Sequence, residues 1–172
     1  MKISIISFSG RAEGNCSQIA DYLNEIHNNE ANVYRFSDFS ITPCGKCNHE
    51  CMAGNSCPHI DDMEVTLQEA VAESDLAYFI VPNYCGYPCS NFFVFNERCV
   101  CWTWKRQDRV DAYNATKKKA IVVSNSGAEN FLRALSHHGM KEEDILFLGS
   151  RTYGSPLMNS EEAKEAIRAF TK

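Results

Sequence analysis

Two hydrophobic patterns alternate along the sequence. Runs of consecutive apolar residues, such as 76–81, are typical of strands that are buried on both faces of a sheet. The segments between the runs place apolar residues every three or four positions, which is the spacing of an amphipathic helix. The runs predict five strands, at 2–8, 32–36, 76–81, 120–124 and 145–148.

Helical segments are predicted between these strands and after the last one. The first follows the turn at 9–14 and has the apolar face Ile19, Tyr22, Leu23 and Ile26. The second follows Asp61 and has the apolar face Met63, Leu67, Ala70 and Val71. The other three lie over 91–104, around Phe131, Leu132 and Leu135, and around 163–170. Asp61 is placed to cap its helix. His137 and His138, beside Gly139, mark the end of the fourth helix, where positive charge is favourable.

This alternation predicts an α/β fold with a parallel sheet and helices on both faces. Neighbouring parallel strands are joined by right-handed crossovers, which need a helix between them. A chain of 172 residues is typical of one domain, so we expect a single domain over 1–172. Ligands of such sheets bind beyond the carboxyl ends of the strands. The candidate site is therefore made by the loops that follow Phe8, Val81 and Ser124.

Composition and charge exclude several classes of protein. Apolar residues make up 44% of the chain and charged residues 23%, which are globular values rather than those of a disordered chain. The net charge of −5 argues against nucleic acid as a partner. The longest apolar runs are much shorter than the roughly 20 residues of a membrane helix. The opening residues lack the cleavage site of a signal peptide, so we expect a cytoplasmic protein with no membrane partner.

The loop after the first strand has the residues of a phosphate site. Gly10 and Gly14 allow tight turns, Arg11 provides a cation, and a helix begins directly afterwards. Free N–H groups at a helix N-terminus favour an anion. No Lys follows Gly14, so the P-loop pattern is missing, and so is the Rossmann glycine spacing. A turn that binds nothing is the alternative.

The loops at 82–88 and 124–127 come after the third and fourth strands. Prolines and a glycine fix the first of them, which offers backbone amides to a flat ligand, and Tyr84 or Tyr87 is placed to face a ring. Each loop alone is weak evidence for a site, because aromatic turns are usually packed against the protein itself.

Nine cysteines are many for this length. Without an export signal, clustered cysteines favour metal or redox chemistry over disulfides. Four of them have the spacing C-x2-C-x3-C-x5-C, namely Cys44, Cys47, Cys51 and Cys57. Cys85 and Cys89 are expected to pack in the protein. Cys99 and Cys101 are two apart on a predicted helix, so they point to different faces and are poor joint ligands.

Four motifs in this order resemble one family. They are Ser9-Gly10-Arg11 with Gly14-Asn15, Cys44-Gly45-Lys46-Cys47, Asp61-Asp62-Met63 and Pro82-Asn83-Tyr84-Cys85-Gly86. The chain resembles the NAD(P)H-dependent FMN reductases and iron-sulfur flavoproteins of the flavodoxin-like superfamily, as far as about Gly127. The resemblance implies a three-layer flavodoxin-like sandwich with a five-stranded parallel sheet of order 2-1-3-4-5. The cysteines would lie in an insert at about 43–60.

The resemblance also implies which residues bind FMN. The phosphate would be held by Ser9, Arg11, Asn15, Cys16 and Ser17. The flavin ring would be lined by Pro82, Asn83, Tyr84, Cys85 and Gly86, and closed on its far side by Ser124, Asn125, Ser126 and Gly127. Arg98 matches only the arginine of the family's Asp-Arg pair and is given no role. No catalytic side chain is expected, because the flavin carries the chemistry.

The resemblance implies a 4Fe-4S cluster held by Cys44, Cys47, Cys51 and Cys57. The chain has one more residue between the second and third cysteines than iron-sulfur flavoproteins usually have. Zinc is an alternative, because four thiolates also form a closed tetrahedral site and His49 and His59 add possible ligands. A loop of free thiols in a protein without a cluster is the third possibility.

Two functions follow from these expectations. In the first, the protein is an NAD(P)H-dependent flavin oxidoreductase that exchanges electrons with small-molecule or protein partners, as a homodimer or homotetramer. In the second, it is a flavin-binding carrier or regulator without turnover, whose cysteine segment binds zinc or nothing.

Overall fold

The computed structural model describes residues 1–45, 47–53, 57–59, 61–63, 66 and 68–172. The strands are β1 (Ile3–Ser7), β2 (Asn32–Arg35), β3 (Leu76–Tyr84), β4 (Tyr87–Pro88), β5 (Lys117–Val123) and β6 (Ile145–Leu148). The α-helices are α1 (Asn15–Ile26), α2 (Ser90–Thr103), α3 (Gln107–Ala115), α4 (Ala128–Ser136), α5 (Ser150–Tyr153) and α6 (Glu161–Thr171). Shorter helical turns lie at Phe36–Asp38, Gln68–Ala72, Glu142–Asp144 and Leu157–Asn159.

The sheet has the strand order β2-β1-β3-β5-β6, and these five strands are parallel. The short strand β4 pairs with the end of β3 in an antiparallel hairpin. When β4 is set aside, the order is the predicted 2-1-3-4-5. The flavodoxin-like α/β fold is confirmed, and the strand order reverses between β1 and β3, where such folds bind ligands.

The residues of β3 explain the three layers. Ala77, Phe79 and Val81 point into one buried cluster, which is completed by residues of α2, α3 and α4. Tyr78 and Ile80 point into a second cluster, with residues of α1 and α6. Side chains of a strand alternate between the two faces of its sheet, so a continuous apolar run is needed where both faces are covered.

Phe8 holds α2 beneath the carboxyl end of β1. Its ring lies 5.0 to 5.4 Å, between centroids, from those of Phe36, Phe79, Phe92 and Phe95. Aromatic pairs at these separations add stability beyond the area they bury. The start of α2 is also tied to the strand, since Asn91 Nδ2 donates a hydrogen bond to Phe8 O at 3.0 Å. One end of α2 is therefore fixed at the predicted site.

The segment that follows Asp61 agrees with the predicted helix where it is described. Asp61 Oδ1 accepts a hydrogen bond from Met63 N–H at 3.2 Å, which is the predicted cap. Met63, Ala70 and Val71 are buried, whereas Leu67 lies outside the described residues. The segment ends in a π-helical turn, Gln68–Ala72.

Two features of the following region differ from the pattern. Helix α3 was not predicted, because Tyr113 is the one residue of this helix that is buried, so the helix has no apolar face. Strand β5 begins at Lys117, three positions before the apolar run. The side chain of Lys118 is buried, and its Nζ donates hydrogen bonds to the carbonyl oxygens of Tyr113 and Thr116 at 2.6 and 2.8 Å. The predicted strand started at 120 because Lys118 is charged, whereas in the structure Lys118 is part of the strand.

In the described ranges, no helix has both the length and the apolar character needed to cross a membrane.

Candidate functional site

Loops after β1, β3 and β5 meet at the carboxyl end of the sheet. They border a cavity of about 480 Å³, which is within the size range of small-molecule sites. Seven predicted site residues line the cavity, namely Asn15, Asn83, Cys85, Gly86, Ser124, Asn125 and Ser126. The loops predicted from the strand pattern therefore do come together.

Two serines shape the loop after β1. Ser9 Oγ accepts a hydrogen bond from Arg11 N–H at 3.1 Å, and Ser17 Oγ donates one to Arg11 O at 3.3 Å. Both serines are buried, whereas Arg11 is exposed. The two serine hydroxyls therefore hold the backbone of Arg11, and the Arg11 side chain is exposed to solvent.

Helix α1 begins directly after this loop. Its N-cap residue is Gly14, which has no side chain to cap the first N–H groups. The first turn contains Asn15, Cys16 and Ser17 and no acidic residue. Uncapped N–H groups and the helix dipole favour an anion at this end of the helix. Together with Arg11, they form a site whose chemistry suits a phosphate.

Cys16 differs from the other members of the predicted phosphate set. Its side chain is buried in the core, and burial raises the pKa of its thiol to about 12, with a contribution from Cys89. The thiol is therefore neutral and turned away from solvent. Only the backbone N–H of Cys16 is placed to serve an anion.

The loop after β3 is a tight hairpin. Cys85 and Gly86 form its two-residue turn with φ angles of 55° and 85°, the left-handed backbone that hairpins of this length require. Tyr84 and Tyr87 pair across the hairpin and are 44% and 55% exposed. Cys85 and Gly86, rather than the two tyrosines, line the cavity. Cys85 is exposed, so the expectation that it packs in the protein is wrong, whereas Cys89 is buried as expected.

Asn83 joins this hairpin to the loop after β5. Its Nδ2 donates hydrogen bonds to Ser124 Oγ and, at 3.0 Å, to Ser126 O. Its Oδ1 accepts one from Gly86 N–H at 2.7 Å. Asn83 therefore fixes the position of two loops at once, and Pro82 before it is buried in β3.

The same two loops touch at Gly86 and Gly127. Gly127 has a φ of 78°, and a Cβ on it would lie 2.4 Å from Gly86 O. Asn130 Nδ2 donates a hydrogen bond to Gly86 O at 2.9 Å. Only glycine is small enough for this contact, and Asn130 is a loop-positioning residue that the sequence analysis missed.

A fourth segment, α5, also borders the cavity and was not predicted to do so. Ser150 and Arg151 line the cavity. Asn125 holds both of them, because its Nδ2 donates to Ser150 Oγ at 3.0 Å and its Oδ1 accepts from Arg151 N–H at 2.9 Å. A signal was present in the sequence, since Gly149-Ser150-Arg151 follows the last strand much as Ser9-Gly10-Arg11 follows the first.

The cysteine segment (43–60, where described) lies against one face of α2. Glu97 Oε1 accepts a hydrogen bond from Cys44 N–H at 2.9 Å, and Trp104 Nε1 donates one to Met52 O at 3.2 Å. Positions 97, 101 and 104 share one face of a helix, because they are three or four residues apart, and position 98 neighbours this face because it lies three residues before 101. Trp104 thus fastens the segment and is 42% exposed, while Trp102 is buried.

A buried ion pair lies at the centre of this contact. Arg98 forms two hydrogen bonds with the Asp61 carboxylate, at 2.6 and 3.1 Å, and their side chains are 4% and 6% exposed. Burial alone would raise the pKa of Asp61, but the hydrogen bonds from Arg98 and two backbone N–H groups outweigh it and lower the pKa. Arg98 also donates to Thr42 O at 2.6 Å and to Cys57 Sγ at 3.7 Å. Arg98, which was given no role from the sequence, joins the segment to the helix.

Cys101 brings a fifth thiol to the four predicted ones. Burial raises the pKa of Cys101 to about 12, and the nearby thiols of Cys51, Cys57 and Cys44 add to the shift. Burial also raises the pKa of Cys44, to which Cys47 contributes. Cys99 and Cys101 point to different faces as predicted, but it is Cys101 that reaches the segment.

The cysteine segment has side chains of the type that bind metals, but their positions do not form a metal site. Within the described ranges, no three or more Cys, His, Asp or Glu residues are arranged to hold a metal ion. In the same part of the chain, Arg98 Nε and His59 Nε2 are buried without a hydrogen-bond partner. Buried polar atoms normally have partners, and a bound ion is one reason for such an exception at His59, whereas Arg98 Nε is a cationic donor that needs an acceptor. Thiols are ligands that iron-sulfur clusters and zinc prefer.

His138 corrects one expectation. It was expected to carry favourable positive charge at a helix end, but it is 8% exposed. Its Nδ1 hydrogen-bonds to Tyr113 at 2.6 Å and its Nε2 to Asn96 Oδ1 at 2.7 Å. Burial lowers the pKa of His138 to about 4, and the positive charges of Lys118 and His137 add to this. His138 is therefore neutral and structural near pH 7.

Comparison with known proteins identifies the fold. No protein-family model matches the sequence, and no curated protein matches it either. Solved structures do match. The Trp repressor binding protein from Bacillus subtilis superposes with a TM-score of 0.69 at 14% identity, over 99% of this chain and 98% of that one.

Two further structures contain flavin compounds. RosB with bound 8-demethyl-8-formylriboflavin-5'-phosphate has a TM-score of 0.71 at 15% identity, over 99% of this chain and 75% of that one. An FMN-dependent NADH-azoreductase from Bacillus anthracis str. Ames Ancestor, in complex with FMN, has a TM-score of 0.58 at 11% identity, over 99% and 100%. These similarities establish the flavodoxin-like fold of this chain.

Proposed function

We propose that the protein is an FMN-binding oxidoreductase that uses NAD(P)H as its electron donor. The observation that carries the proposal is the cavity of about 480 Å³ at the carboxyl end of the sheet, with Arg11 and the uncapped start of α1 nearby. A similar fold holds FMN in the azoreductase from Bacillus anthracis. The homodimer or homotetramer implied by the resemblance stays a prediction.

The residues present fit the phosphate of FMN. The exposed Arg11 and the N–H groups of Asn15, Cys16 and Ser17 provide positive charge and hydrogen-bond donors. Hydrogen bonds from charged or oriented donors to phosphate oxygens are among the strongest in proteins. Ser9 and Ser17 would act by holding the backbone of Arg11 in place.

The two loops joined by Asn83 fit the flat ring system. Cys85 and Gly86 on one side and Ser124 to Ser126 on the other line the cavity with backbone groups and small side chains. Arg151 adds a cation at the edge of the cavity, on a backbone held by Asn125. When bound, FMN supplies the redox chemistry by accepting a hydride from reduced nicotinamide and passing electrons to an acceptor. The protein's residues bind and orient it and leave the cavity open to a donor.

We further propose that the cysteine segment holds a metal centre, a 4Fe-4S cluster in preference to zinc. The four closely spaced cysteines, the nearby thiol of Cys101 and the unpartnered buried Nε2 of His59 support a metal centre. The preference for iron rests on the resemblance to iron-sulfur flavoproteins.

The first test is an absorption spectrum of anaerobically purified protein, with flavin, iron and zinc measured on the same sample. We expect flavin bands, additional absorbance near 400 nm that is lost on reduction, and about four irons per chain. We also expect steady-state NAD(P)H oxidation with an added acceptor. Flavin without turnover would make the protein a carrier, and absence of flavin binding would overturn the proposal.

Arg11→Ala tests the phosphate site. We expect it to weaken FMN binding about tenfold, the effect of losing roughly 1.4 kcal/mol of charge-assisted hydrogen bonding. Riboflavin lacks the phosphate, so its affinity should not change. Both affinities are measured by fluorescence titration of the flavin-free protein, with Arg133→Ala on the exposed part of α4 as the control. Equal losses for FMN and riboflavin would contradict a phosphate role.

A further inference from the structure

We infer that Arg151 is a second phosphate-binding residue of the cavity, and that the phosphate it binds belongs to FMN. The inference rests on the proposed function and adds a residue to it. Arg11 comes from the loop after β1, whereas Arg151 belongs to α5, which follows the last strand. The phosphate would then lie between the start of α1 and a cation supplied by the end of the chain.

The charge of the cavity wall favours an anion beside Arg151. In the part of the chain that the structure describes, Arg151 is the one charged residue that lines the cavity, and no carboxylate lines it. Arg151 is exposed, and among the described residues its guanidinium group forms no ion pair. Nothing in the wall therefore offsets its positive charge. The planar, forked guanidinium group suits two oxygens of one phosphate.

The backbone that carries Arg151 is fixed from the cavity side. Asn125 Oδ1 accepts a hydrogen bond from Arg151 N–H at 2.9 Å, and Asn125 Nδ2 donates one to Ser150 Oγ at 3.0 Å. Gly149 allows this close approach, because a Cβ on it would lie 2.5 Å from Asn125 Oδ1. A side chain on a backbone that is already ordered loses less freedom when it binds a ligand.

The segment after α5 is joined to the start of α1. Asn15 lines the cavity, and its Oδ1 accepts a hydrogen bond from Leu157 N–H at 2.9 Å. Leu157 is fully buried in the cluster that also contains Cys16 and Ile19 of α1. Arg151 and the first residue of α1 therefore border one cavity, on segments that are packed against each other.

Two molecules would bring phosphate groups to this site, FMN and the nicotinamide donor. The uncapped N–H groups at the start of α1 are the donors expected to bind the phosphate of FMN. Because Asn15 at that start lines the same cavity as Arg151, we assign the phosphate at Arg151 to FMN rather than to the donor.

The experiment compares flavin affinities in four proteins: the unmodified chain, Arg151→Ala, Arg151→Lys and Arg133→Ala. Dissociation constants for FMN and riboflavin are measured by fluorescence titration of the flavin-free proteins. We expect Arg151→Ala to weaken FMN binding about tenfold, the effect of losing one charge-assisted contact, and to leave riboflavin binding unchanged. Arg151→Lys should lie between, because it keeps the charge but not the fork. Arg133, on the exposed part of α4, is the matched control and should have no effect.

Each other outcome overturns a defined statement. Equal losses for FMN and riboflavin, or no loss for either, would overturn a phosphate role for Arg151. Unchanged FMN affinity with a selective fall in kcat/KM for NADPH relative to NADH would overturn the assignment to FMN and give the phosphate to the donor. Absence of FMN binding in the unmodified chain would overturn the proposed function, and this inference with it.

A second measurement uses the unmodified chain alone. The protein is reacted with the arginine reagent phenylglyoxal in the presence of FMN or riboflavin, each at about ten times its dissociation constant, and modification is followed by mass spectrometry. We expect Arg151 to react about tenfold more slowly with FMN, since only the unoccupied fraction reacts, and at its full rate with riboflavin. Arg133 should react equally in both samples. Equal rates at Arg151 with the two flavins would overturn the inference.

Discussion

The loops of the cavity and the cysteine segment are held in place by different means. Around the cavity, neutral amide side chains tie short loops together, as Asn83, Asn125 and Asn130 show. The cysteine segment is instead held on α2 by an ion pair, Arg98 with Asp61, and by Glu97. Loops that leave parallel strands at neighbouring positions are already close, so weak ties suffice. A long insert that packs against a helix depends on a few strong contacts, so its attachment is the more sensitive to a single substitution.

Arg98→Met should have the largest effect. It leaves the Asp61 carboxylate buried without its partner, and breaking a buried ion pair in this way costs about 3 to 5 kcal/mol. The free energy of unfolding, measured by urea denaturation, should fall by that amount. Arg106→Met is the matched control, because its ion pair with Asp108 is 50% and 64% exposed and should contribute less than about 1 kcal/mol.

A double variant separates the stranded charge from the lost packing. Asp61→Asn added to Arg98→Met removes the unpaired carboxylate, so the double variant should be more stable than Arg98→Met alone. Equal effects of Arg98→Met and Arg106→Met would show that the segment does not depend on the buried pair.

A change at His138 tests helix α2, which supports both the cavity loops and the cysteine segment. It hydrogen-bonds to Asn96 in the middle of α2, whose first turn is tied to β1 and whose last turns hold the cysteine segment. The pKa of His138 is lowered from 6.5 to about 4 in the folded protein. Below pH 6.5 the unfolded chain therefore binds a proton that the folded chain does not. Stability is fully present above that pH and is lost as pH falls toward 4, by about 3 kcal/mol at 1.36 kcal/mol per unit.

The check is to follow unfolding from pH 7 to pH 4 in the unmodified chain and in His138→Gln. The difference in free energy of unfolding between the two proteins should shrink as the pH falls across this range. Taking the difference removes the contribution of the carboxylates, which both proteins share. A constant difference would mean that His138 does not titrate in this way.

Gly127→Ala should have the smallest of these effects and should act at the cavity. Its Cβ would meet Gly86 O at 2.4 Å, and such overpacking costs about 1 to 3 kcal/mol. We expect the free energy of unfolding to fall by about 2 kcal/mol and the affinity for FMN to fall with it, because the two loops must separate. Gly139→Ala has a similar φ of 79° and nothing within 4 Å of its Cβ, so it should cost about 1 kcal/mol and leave FMN binding unchanged.

The strands and their order were predictable because their apolar runs are long and both faces of the sheet are covered. Helix α3 and the first residues of β5 could not be predicted in this way. Their outward residues are charged, and the buried position of Lys118 depends on carbonyl oxygens that only the folded chain brings to it. A hydrophobic pattern cannot represent a buried lysine whose charge is satisfied by the backbone.

The candidate site divides in the same way. Loops such as 83–86 and 124–127 were predictable because they follow strands. Cys101 and the pair of Asp61 and Arg98 were not, because their partners are tens of positions away, 37 in the case of the ion pair. The spacing of residues along one sequence predicts which side chains lie together on one helix or one loop. It says nothing about which helix face a distant insert will cover.

The link between the start of α1 and the end of the chain has a consequence for biosynthesis. Asn15 Oδ1 accepts a hydrogen bond from Leu157 N–H at 2.9 Å across 142 positions, and the cavity is completed by Ser150 and Arg151. A ribosome adds roughly 5 to 20 residues per second, so the end of the cavity at α1 is synthesised several seconds before its last wall. A ligand that needs every wall of the cavity would therefore bind only after residue 157 has been synthesised and folded into place.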